Sequence, residues 1–303
     1  MTRKIYSGVG ELPRGEASDH LITGCLVCVG GAFRGVYTSG VLDCLMEHDI
    51  NLSCTLGVSA GALIGAQYVS GQIGRSGRFN LTYRHDPNYV GPMAYPKNKG
   101  LIGFDYMFNG LDKTEPLNKE RLFDSAKRFV VVATNVETGE AEFFEAGKCE
   151  DIFTAIQASA SMPFMSKPVR MGEQGYLDGG IADKVPFDWA LKEGFDKIIV
   201  VKTREDGFRN DLTRQHMKYV TDMIYRKQPE FAGKLKTMNA RFNQQCDELD
   251  ELTRSGRIFT IAPSEPVRVG RIEPDMEKLG ALYHLGYEDA MASMEALRQY
   301  LER

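Results

Sequence analysis

The sequence contains no apolar run long enough to span a bilayer. Residues 1–21 are polar and lack the apolar core of a secretory signal. Positive charge is not in excess either: the formal net charge is -4, which gives no electrostatic support to nucleic-acid binding. We therefore expect a cytoplasmic globular protein, because 43% hydrophobic and 26% charged residues are ordinary for that class.

Cysteine pairs with metal-ligand spacing are also missing. The six cysteines are scattered and lie mostly within apolar segments, which favours reduced thiols in a core. Cys25 and Cys28 have C-x-x-C spacing, but they lie in a strand-like run, where residues three apart point to opposite faces. No second pair completes a zinc site. We expect neither a metal ion nor another cofactor.

Strand-like and helix-like segments alternate through the first half of the chain. The strand-like segments are short, apolar and often β-branched, and cover 25–29, 52–56, 129–133, 141–144, 197–202 and 258–262. This order predicts an α/β fold with three α/β/α layers and a mainly parallel sheet. Because no linker or internal repeat divides the chain, we expect one domain over 1–303. Its core would cover about 24–205, and a helical C-terminal part about 206–303.

The most informative local pattern is Gly57-Val58-Ser59-Ala60-Gly61. It follows the apolar segment 52–56 and precedes 62–69, a run of helix formers and small residues. A serine between two glycines at a strand-to-helix junction predicts a nucleophile elbow, a tight turn that lifts the hydroxyl clear of the sheet. The pattern also arises by chance, so two further motifs are needed to support it.

The second motif is the glycine-rich segment 30–35 (GGAFRG), which follows the first strand and opens a helix. A P-loop would need Lys and then Ser or Thr after the last glycine, but Val36 and Tyr37 follow. A dinucleotide fingerprint would need glycine at position 32 and an acid at the end of the next strand, and neither is present. What remains is a loop of N–H groups that could hold an oxyanion, or a tight turn without a catalytic role.

The third motif is Asp178-Gly179-Gly180, after the short run 175–177. A general base must come within about 3 Å of the serine hydroxyl and must not be fully solvated. An aspartate between an apolar segment and two glycines meets this need, because nothing bulky separates it from a neighbouring loop. An ordinary turn is the alternative.

Together and in this order, the three motifs resemble the patatin-like phospholipase family. That family combines a glycine-rich oxyanion loop, a G-x-S-x-G elbow and a D-G-G or D-G-A aspartate. The segments 130–135 (VVVATN), 137–139 (ETG) and 155–163 (AIQASASMP) are also similar. The resemblance covers about 26–203 and is strongest to the bacterial cytoplasmic branch. It implies a patatin-like fold and a serine acyl hydrolase that cleaves lipid carboxylic esters, phospholipid or lysophospholipid.

The resemblance also implies a Ser–Asp dyad without histidine, in which Ser59 is the nucleophile and Asp178 the general base. An aspartate with an ordinary pKa near 4 is a weak base, but burial beside apolar residues would raise this pKa. Arg34 would brace the oxyanion loop or the charge near it, and the N–H of Ala60 is a further candidate donor. The other implied residues are Gly30, Gly31 and Ala32 in the loop and the motif glycines Gly35, Gly57, Gly61, Gly179 and Gly180.

The chain departs from the family pattern at two positions. Ala32 stands where the third glycine of the loop is usual, and Val29 where an acid often precedes it. Alanine keeps its N–H but restricts φ. The departures therefore concern which N–H groups serve as oxyanion donors, and not the presence of the loop.

Two other functions fit parts of the pattern. An α/β-hydrolase would use a triad of Ser59, Asp178 and either His216 or His284. Both histidines lie in helical patterns, 214–218 and 282–285, whereas that triad needs one in a loop after a strand. A catalytically silent lipid-binding regulator is the other alternative, although it would have no need for a serine on an elbow.

Two segments break the α/β pattern. The segment 71–110 is rich in glycine, tyrosine and proline, and 212–252 is a long polar helical pattern. They could be a surface loop and a solvated helix. They could also be a basic rim that meets an anionic membrane surface, with a helical cap over the site. The basic residues between 71 and 100 are Arg75, Arg78, Arg84, Lys97 and Lys99, against the single acid Asp86.

Overall fold

A computed structural model describes residues 4–213 and 218–303 of the chain. Its strands are β1 (Gly15–Glu16), β2 (Ile22–Cys28), β3 (Leu52–Val58), β4 (Gln72–Ile73), β5 (Arg128–Asn135), β6 (Ala141–Glu145), β7 (Val169–Met171), β8 (Gln174–Asp178), β9 (Ile198–Val201) and β10 (Phe259–Ile261). Its helices are α1 (Val36–Glu47), α2 (Ala60–Val69), α3 (Arg75–Tyr83), α4 (Tyr95–Asn98), α5 (Lys119–Leu122), α6 (Ile152–Ser159), α7 (Phe187–Lys192), α8 (Lys218–Ile224), α9 (Pro229–Arg254) and α10 (Met276–Glu302).

The main sheet of the described residues has eight strands in the order β10-β9-β2-β3-β5-β8-β7, with β6 also paired to β5. The five strands from β10 to β5 are parallel, whereas β6, β7 and β8 pair antiparallel. Successive side chains alternate between the two faces, and both faces are covered. Val131 packs on the side of α1, α2 and α10, whereas Val130 and Val132 pack on the side of α7 and α9. The predicted three-layer, mainly parallel α/β fold is confirmed.

The C-terminal helices complete both outer layers. Phe242 and Leu249 of α9 pack on one face of the sheet. On the other side, Tyr283 of α10 donates a hydrogen bond to Asp43 of α1 over 2.6 Å. This packing supports our proposal that the chain forms one domain. No helix within the described residues is long and apolar enough to cross a membrane.

The three arginines do not form the basic rim that was one of the two alternatives, because each is held in the fold. Arg75 is only 5% exposed and donates to the carbonyl oxygen of Glu115 over 2.9 Å. Arg78 pairs with the carboxylate of Glu115 over 2.7 Å. Arg84 donates to the carbonyl of Glu273. The segment 71–110 contains α3 and α4. Its exposed cations are Lys97 and Lys99 and not the arginines.

Within its described residues, the region 212–252 forms two helices rather than one. α8 ends at Ile224 and α9 begins at Pro229, a residue that suits the first turn of a helix because it lacks an N–H. At the junction of the two helices, Tyr225 is buried whereas Ile224 is exposed. Met217 and His216 lie outside the described residues.

Candidate active site

The strand-to-helix turn at Ser59 has the geometry of an elbow. β3 ends at Val58 and α2 begins at Ala60, and Ser59 between them has φ +55° and ψ −124°. This left-handed conformation is strained for a residue with a side chain. Gly61 has no room for one, since a Cβ there would overlap the carbonyl oxygen of Cys28. The N–H of Ser59 donates to Oγ of Ser159 over 2.8 Å, which holds the turn.

Sheet register brings Asp178 to the same place. β3 ends where Val58 pairs with Val132, and the next residue of β5, Ala133, pairs with Asp178 of β8. Ala133 pairs on its other edge with Glu142 of β6. β8 therefore continues the edge of β5 that β3 leaves free, and it ends beside the elbow.

Ser59 and Asp178 are in direct contact. Oγ of Ser59 donates a hydrogen bond to Oδ2 of Asp178 over 2.7 Å. The other carboxylate oxygen, Oδ1, accepts from the N–H of Gly180 over 2.9 Å. The hydroxyl of Thr134 donates to the main-chain oxygen of Asp178 over 2.8 Å. One oxygen is thus fixed by the backbone while the other faces the serine.

The surroundings of Asp178 make it a stronger base than a solvated aspartate. Loss of water around the carboxylate raises the pKa of Asp178, whereas the hydrogen bonds from Ser59 and Gly180 and the charges of Arg271 and Lys184 lower it by less. A base with a raised pKa accepts a proton from a hydroxyl more readily at neutral pH.

The glycine-rich loop lies against the elbow and offers free donors. A Cβ placed on Gly30 would lie 2.9 Å from Cβ of Ser59, so the two backbones are close neighbours. The N–H groups of Gly31, Ala32 and Ala60 make no hydrogen bond within the part of the chain that the structure describes. Ala60 begins α2, whereas Gly31 and Ala32 lie in the loop before α1. Such donors beside a nucleophile can stabilise a developing oxyanion.

Ala32 adopts φ +51°, a conformation that favours glycine. Alanine in place of the usual glycine therefore keeps the backbone conformation of a glycine at position 32, and this conformation is strained. Arg34 is 8% exposed, and its Nε has no partner among the described residues. Burial, together with the charges of Arg204 and Arg271, lowers the pKa of Arg34 to about 10.

His284, the one histidine of the alternative triad that the structure describes, is not brought to this pair. The ring of His284 in α10 lies 6.1 Å from that of Tyr6 and 5.5 Å from that of Tyr283. No hydrogen bond within the described ranges joins it to Ser59 or Asp178. His216 lies outside those ranges.

Three further residues at the site, Ser159, Lys184 and Arg271, belong to none of the three motifs. Ser159 lies in the segment 155–163, where a serine among alanines could have indicated a polar contact in an otherwise apolar helix. Lys184 and Arg271 lie on separate loops in no recognisable pattern, and only the fold shows that they flank Asp178.

Comparison with known proteins decides the family. The model of the patatin-like phospholipase family matches residues 26–191, more than half of the chain. The chain belongs to this family. A second model, a domain of unknown function (DUF6363), matches residues 228–302, which comprise most of the helical C-terminal part.

Family relatives occur in bacteria and fungi. The Escherichia coli (strain K12) protein YjjU is 31% identical over 183 residues, which cover 59% of this chain and 51% of YjjU. The chain thus spans about half the length of that relative. Lysophospholipase NTE1 of Debaryomyces hansenii is 27% identical over 181 residues, 58% of this chain and 11% of that protein. VipD from Legionella pneumophila shares the fold, with a TM-score of 0.50 at 16% identity over 99% of this chain and 71% of that chain.

Proposed function

We propose that the protein hydrolyses carboxylic esters of phospholipids or lysophospholipids through a Ser59–Asp178 dyad and a covalent acyl-enzyme. The observation that carries this proposal is the 2.7 Å hydrogen bond from Oγ of Ser59 to Oδ2 of Asp178. Family membership and the name of the fungal relative, a lysophospholipase, support a lipid ester as the substrate.

In the first half of the reaction, Oγ of Ser59 attacks the ester carbonyl carbon while its proton moves to Oδ2 of Asp178. The carbonyl oxygen becomes an oxyanion, which the N–H groups of Gly31, Ala32 and Ala60 stabilise. When the tetrahedral intermediate collapses, the C–O bond to the alcohol breaks. The alcohol leaves with the proton held by Asp178, and the acyl group stays on Ser59.

In the second half, water replaces the alcohol. Asp178 accepts a proton from the water as its oxygen attacks the acyl carbon, and the same N–H donors hold the second oxyanion. Collapse of this intermediate returns the proton to Oγ of Ser59 and releases the fatty acid. No histidine takes part, because the carboxylate contacts the serine directly.

We also propose that the protein meets a membrane surface through apolar side chains, and not through the arginines of 71–110. Met93 and Phe164 are exposed. The chain segments that carry them are joined by a β-bridge between Gly100 and Ser166. The segment of Phe164 is tied to the dyad, because the carbonyl of Ser161 accepts from the N–H of Asp178 over 2.9 Å.

Replacing Met93 and Phe164 by serine should weaken binding to phospholipid vesicles. The matched variant Met291→Ser, on α10, should bind like wild type; equal loss in both would refute this surface.

Hydrolysis of a panel of lipid esters tests the main proposal, with Ser59→Ala as the blank. We expect fatty acid release by wild type, none above blank by Ser59→Ala, and a loss of about 10²–10⁴-fold in Asp178→Asn. His284→Ala should retain full activity, whereas a large loss there would favour the triad. Absence of hydrolysis of any ester by wild type would favour the lipid-binding regulator.

A further inference from the structure

An unusually cationic cavity lies behind the oxyanion loop. Its volume is about 60 Å³, and no carboxylate of the described residues lines it. Water needs about 10–15 Å³ of such space, so the cavity can take about four to six water-sized groups. The cationic residues that line it are Arg34, Lys184, Lys202, Arg204 and Arg271.

Several buried donors of this cavity have no acceptor. Nε of Arg34, Nε of Arg204 and Nδ2 of Asn210 are buried without a hydrogen-bond partner, and they are three of the seven such side-chain atoms in the described ranges. A buried polar group without a partner destabilises the fold, and more so when it is charged. Three of them around one small space indicate a missing acceptor.

The positive charge is balanced only in part from within the fold. Lys202 is paired with Asp206 over 2.7 Å and lies 3.8 Å from Asp250. Lys184 stacks on the ring of Phe242 at 3.9 Å. Neither Lys184 nor Arg271 has an ion pair within the described residues.

The neighbouring carboxylates offset part of this charge. Glu205 accepts from the N–H of Val267 over 3.0 Å and its charge raises the pKa of Arg34, and Asp178 faces Ser59. Burial and the charges of Arg271 and Arg34 lower the pKa of Lys184 to about 7, as expected for cations crowded together.

The cavity adjoins the dyad. Thr203, which lines it, donates from Oγ1 to the carbonyl of Gly30 over 3.0 Å. The main-chain oxygen of Arg271 accepts from the N–H of Phe33 over 3.3 Å. A group bound here would therefore lie directly behind the loop that faces Ser59.

We propose that this cavity binds a phosphate group, with Arg34, Lys184 and Arg271 as its main contacts. Four oxygens and up to two negative charges match the size of the space, the unpartnered donors and the excess of cations. The phosphate can come from a phospholipid head group or from free inorganic phosphate. The head-group source rests on the proposed function, since it places the acyl ester at Ser59 and the phosphate behind the loop.

Binding of inorganic phosphate tests the site without turnover. Isothermal titration of the full chain with phosphate, at an ionic strength fixed with chloride, should show binding by wild type. We expect Arg271→Gln and Lys184→Met to weaken it at least tenfold. Arg268→Gln removes the same charge three residues away, from an exposed position that does not line the cavity, and should bind like wild type. Because Arg271 is exposed, its variant should fold even if Lys184→Met does not.

The source is tested by the ratio of kcat/KM for a lysophospholipid to that for a monoacylglycerol with the same acyl chain. A change in the dyad itself alters kcat/KM for both substrates alike and leaves this ratio unchanged. A fall of about tenfold in Arg271→Gln, with no change in Arg268→Gln, supports the head group. Phosphate binding with an unchanged ratio supports free phosphate as the ligand. No phosphate-specific binding by wild type, together with an unchanged ratio, overturns the proposal. If phosphate binds but no ester is hydrolysed, the site stands and the proposed function fails.

Discussion

Two aspartates of this protein, Asp178 and Asp43, have nearly the same bonding partners. Each accepts one hydroxyl and one glycine N–H. Asp178 accepts from Ser59 over 2.7 Å and from Gly180 over 2.9 Å. Asp43 accepts from the phenol of Tyr283 over 2.6 Å and from the N–H of Gly74 over 2.8 Å. Burial raises the pKa of both carboxyl groups.

The difference lies in what surrounds the hydroxyl. Asp43 is 2% exposed and Tyr283 is 1% exposed, and they tie α1 to α10 within the core. Ser59 stands on a strained turn beside free N–H donors, and Asp178 keeps partial contact with solvent. A hydroxyl–carboxylate pair is therefore structural or reactive according to whether a substrate carbonyl can reach it.

The sharpest test of this comparison deletes the donor hydroxyl from each pair. Ser59→Ala should abolish ester hydrolysis, by about 10⁴-fold or more, with little change in the free energy of unfolding. Tyr283→Phe should retain activity but lose about 1–3 kcal/mol, because the buried carboxylate of Asp43 loses a donor. Steady-state kinetics and denaturant unfolding of both variants measure this. Similar effects of the two variants would remove the distinction.

The pH dependence of activity should report Asp178. The base acts when deprotonated, and its pKa is raised, so kcat/KM for a soluble short-chain ester should fall as the pH falls through that pKa. The fall should approach tenfold per pH unit. A profile flat to pH 4 would mean that no raised carboxyl group controls the rate.

Asp43 should show its raised pKa in stability instead. Its folded pKa is about 7, above the ordinary value near 4, so the folded state holds this proton more tightly than the unfolded state. The contribution is present at low pH and is lost as the pH rises through about 7. The difference in unfolding free energy between wild type and Asp43→Asn should thus shift against wild type from pH 5 to pH 8. A difference independent of pH would contradict this account.

Backbone strain gives the smallest predicted change in the free energy of unfolding. It also distinguishes the surroundings of Asp43 from those of Ser59. Gly74, the donor to Asp43, takes φ +75° at no cost, whereas the loop beside Ser59 places Ala32 at φ +51°. Ala32→Gly should stabilise the protein by about 0.5–1 kcal/mol. Ala62→Gly, within α2, should destabilise it by about 1 kcal/mol. Thermal unfolding of both variants checks the opposite signs.

The sequence predicted the features that depend on local pattern. The apolar, β-branched run at 129–133 indicated a strand, and the G-x-S-x-G spacing indicated the turn at Ser59. The contact between Ser59 and Asp178 was expected only through the family resemblance. It depends on β8 taking the edge of β5 beyond the end of β3, which no local pattern encodes.

The burial of the three arginines shows why contacts between distant parts of the chain could not be predicted. Arg75, Arg78 and Arg84 looked like a basic surface because their segment has little periodicity. Their partners come from distant residues, such as the main chain of Glu115 and Glu273, so their burial is a property of the assembled fold. The same holds for Lys184 and Arg271, which meet only around the cationic cavity.

In the mechanism proposed for this protein, a carboxylate activates Ser59 without a histidine. The most direct measurement is the rate of covalent labelling by a fluorophosphonate, followed by intact-protein mass spectrometry. Wild type should gain one label, Ser59→Ala none, and Asp178→Asn should react about 10²–10⁴-fold more slowly. Labelling of Asp178→Asn at the wild-type rate, or of Ser59→Ala at all, would contradict the claim.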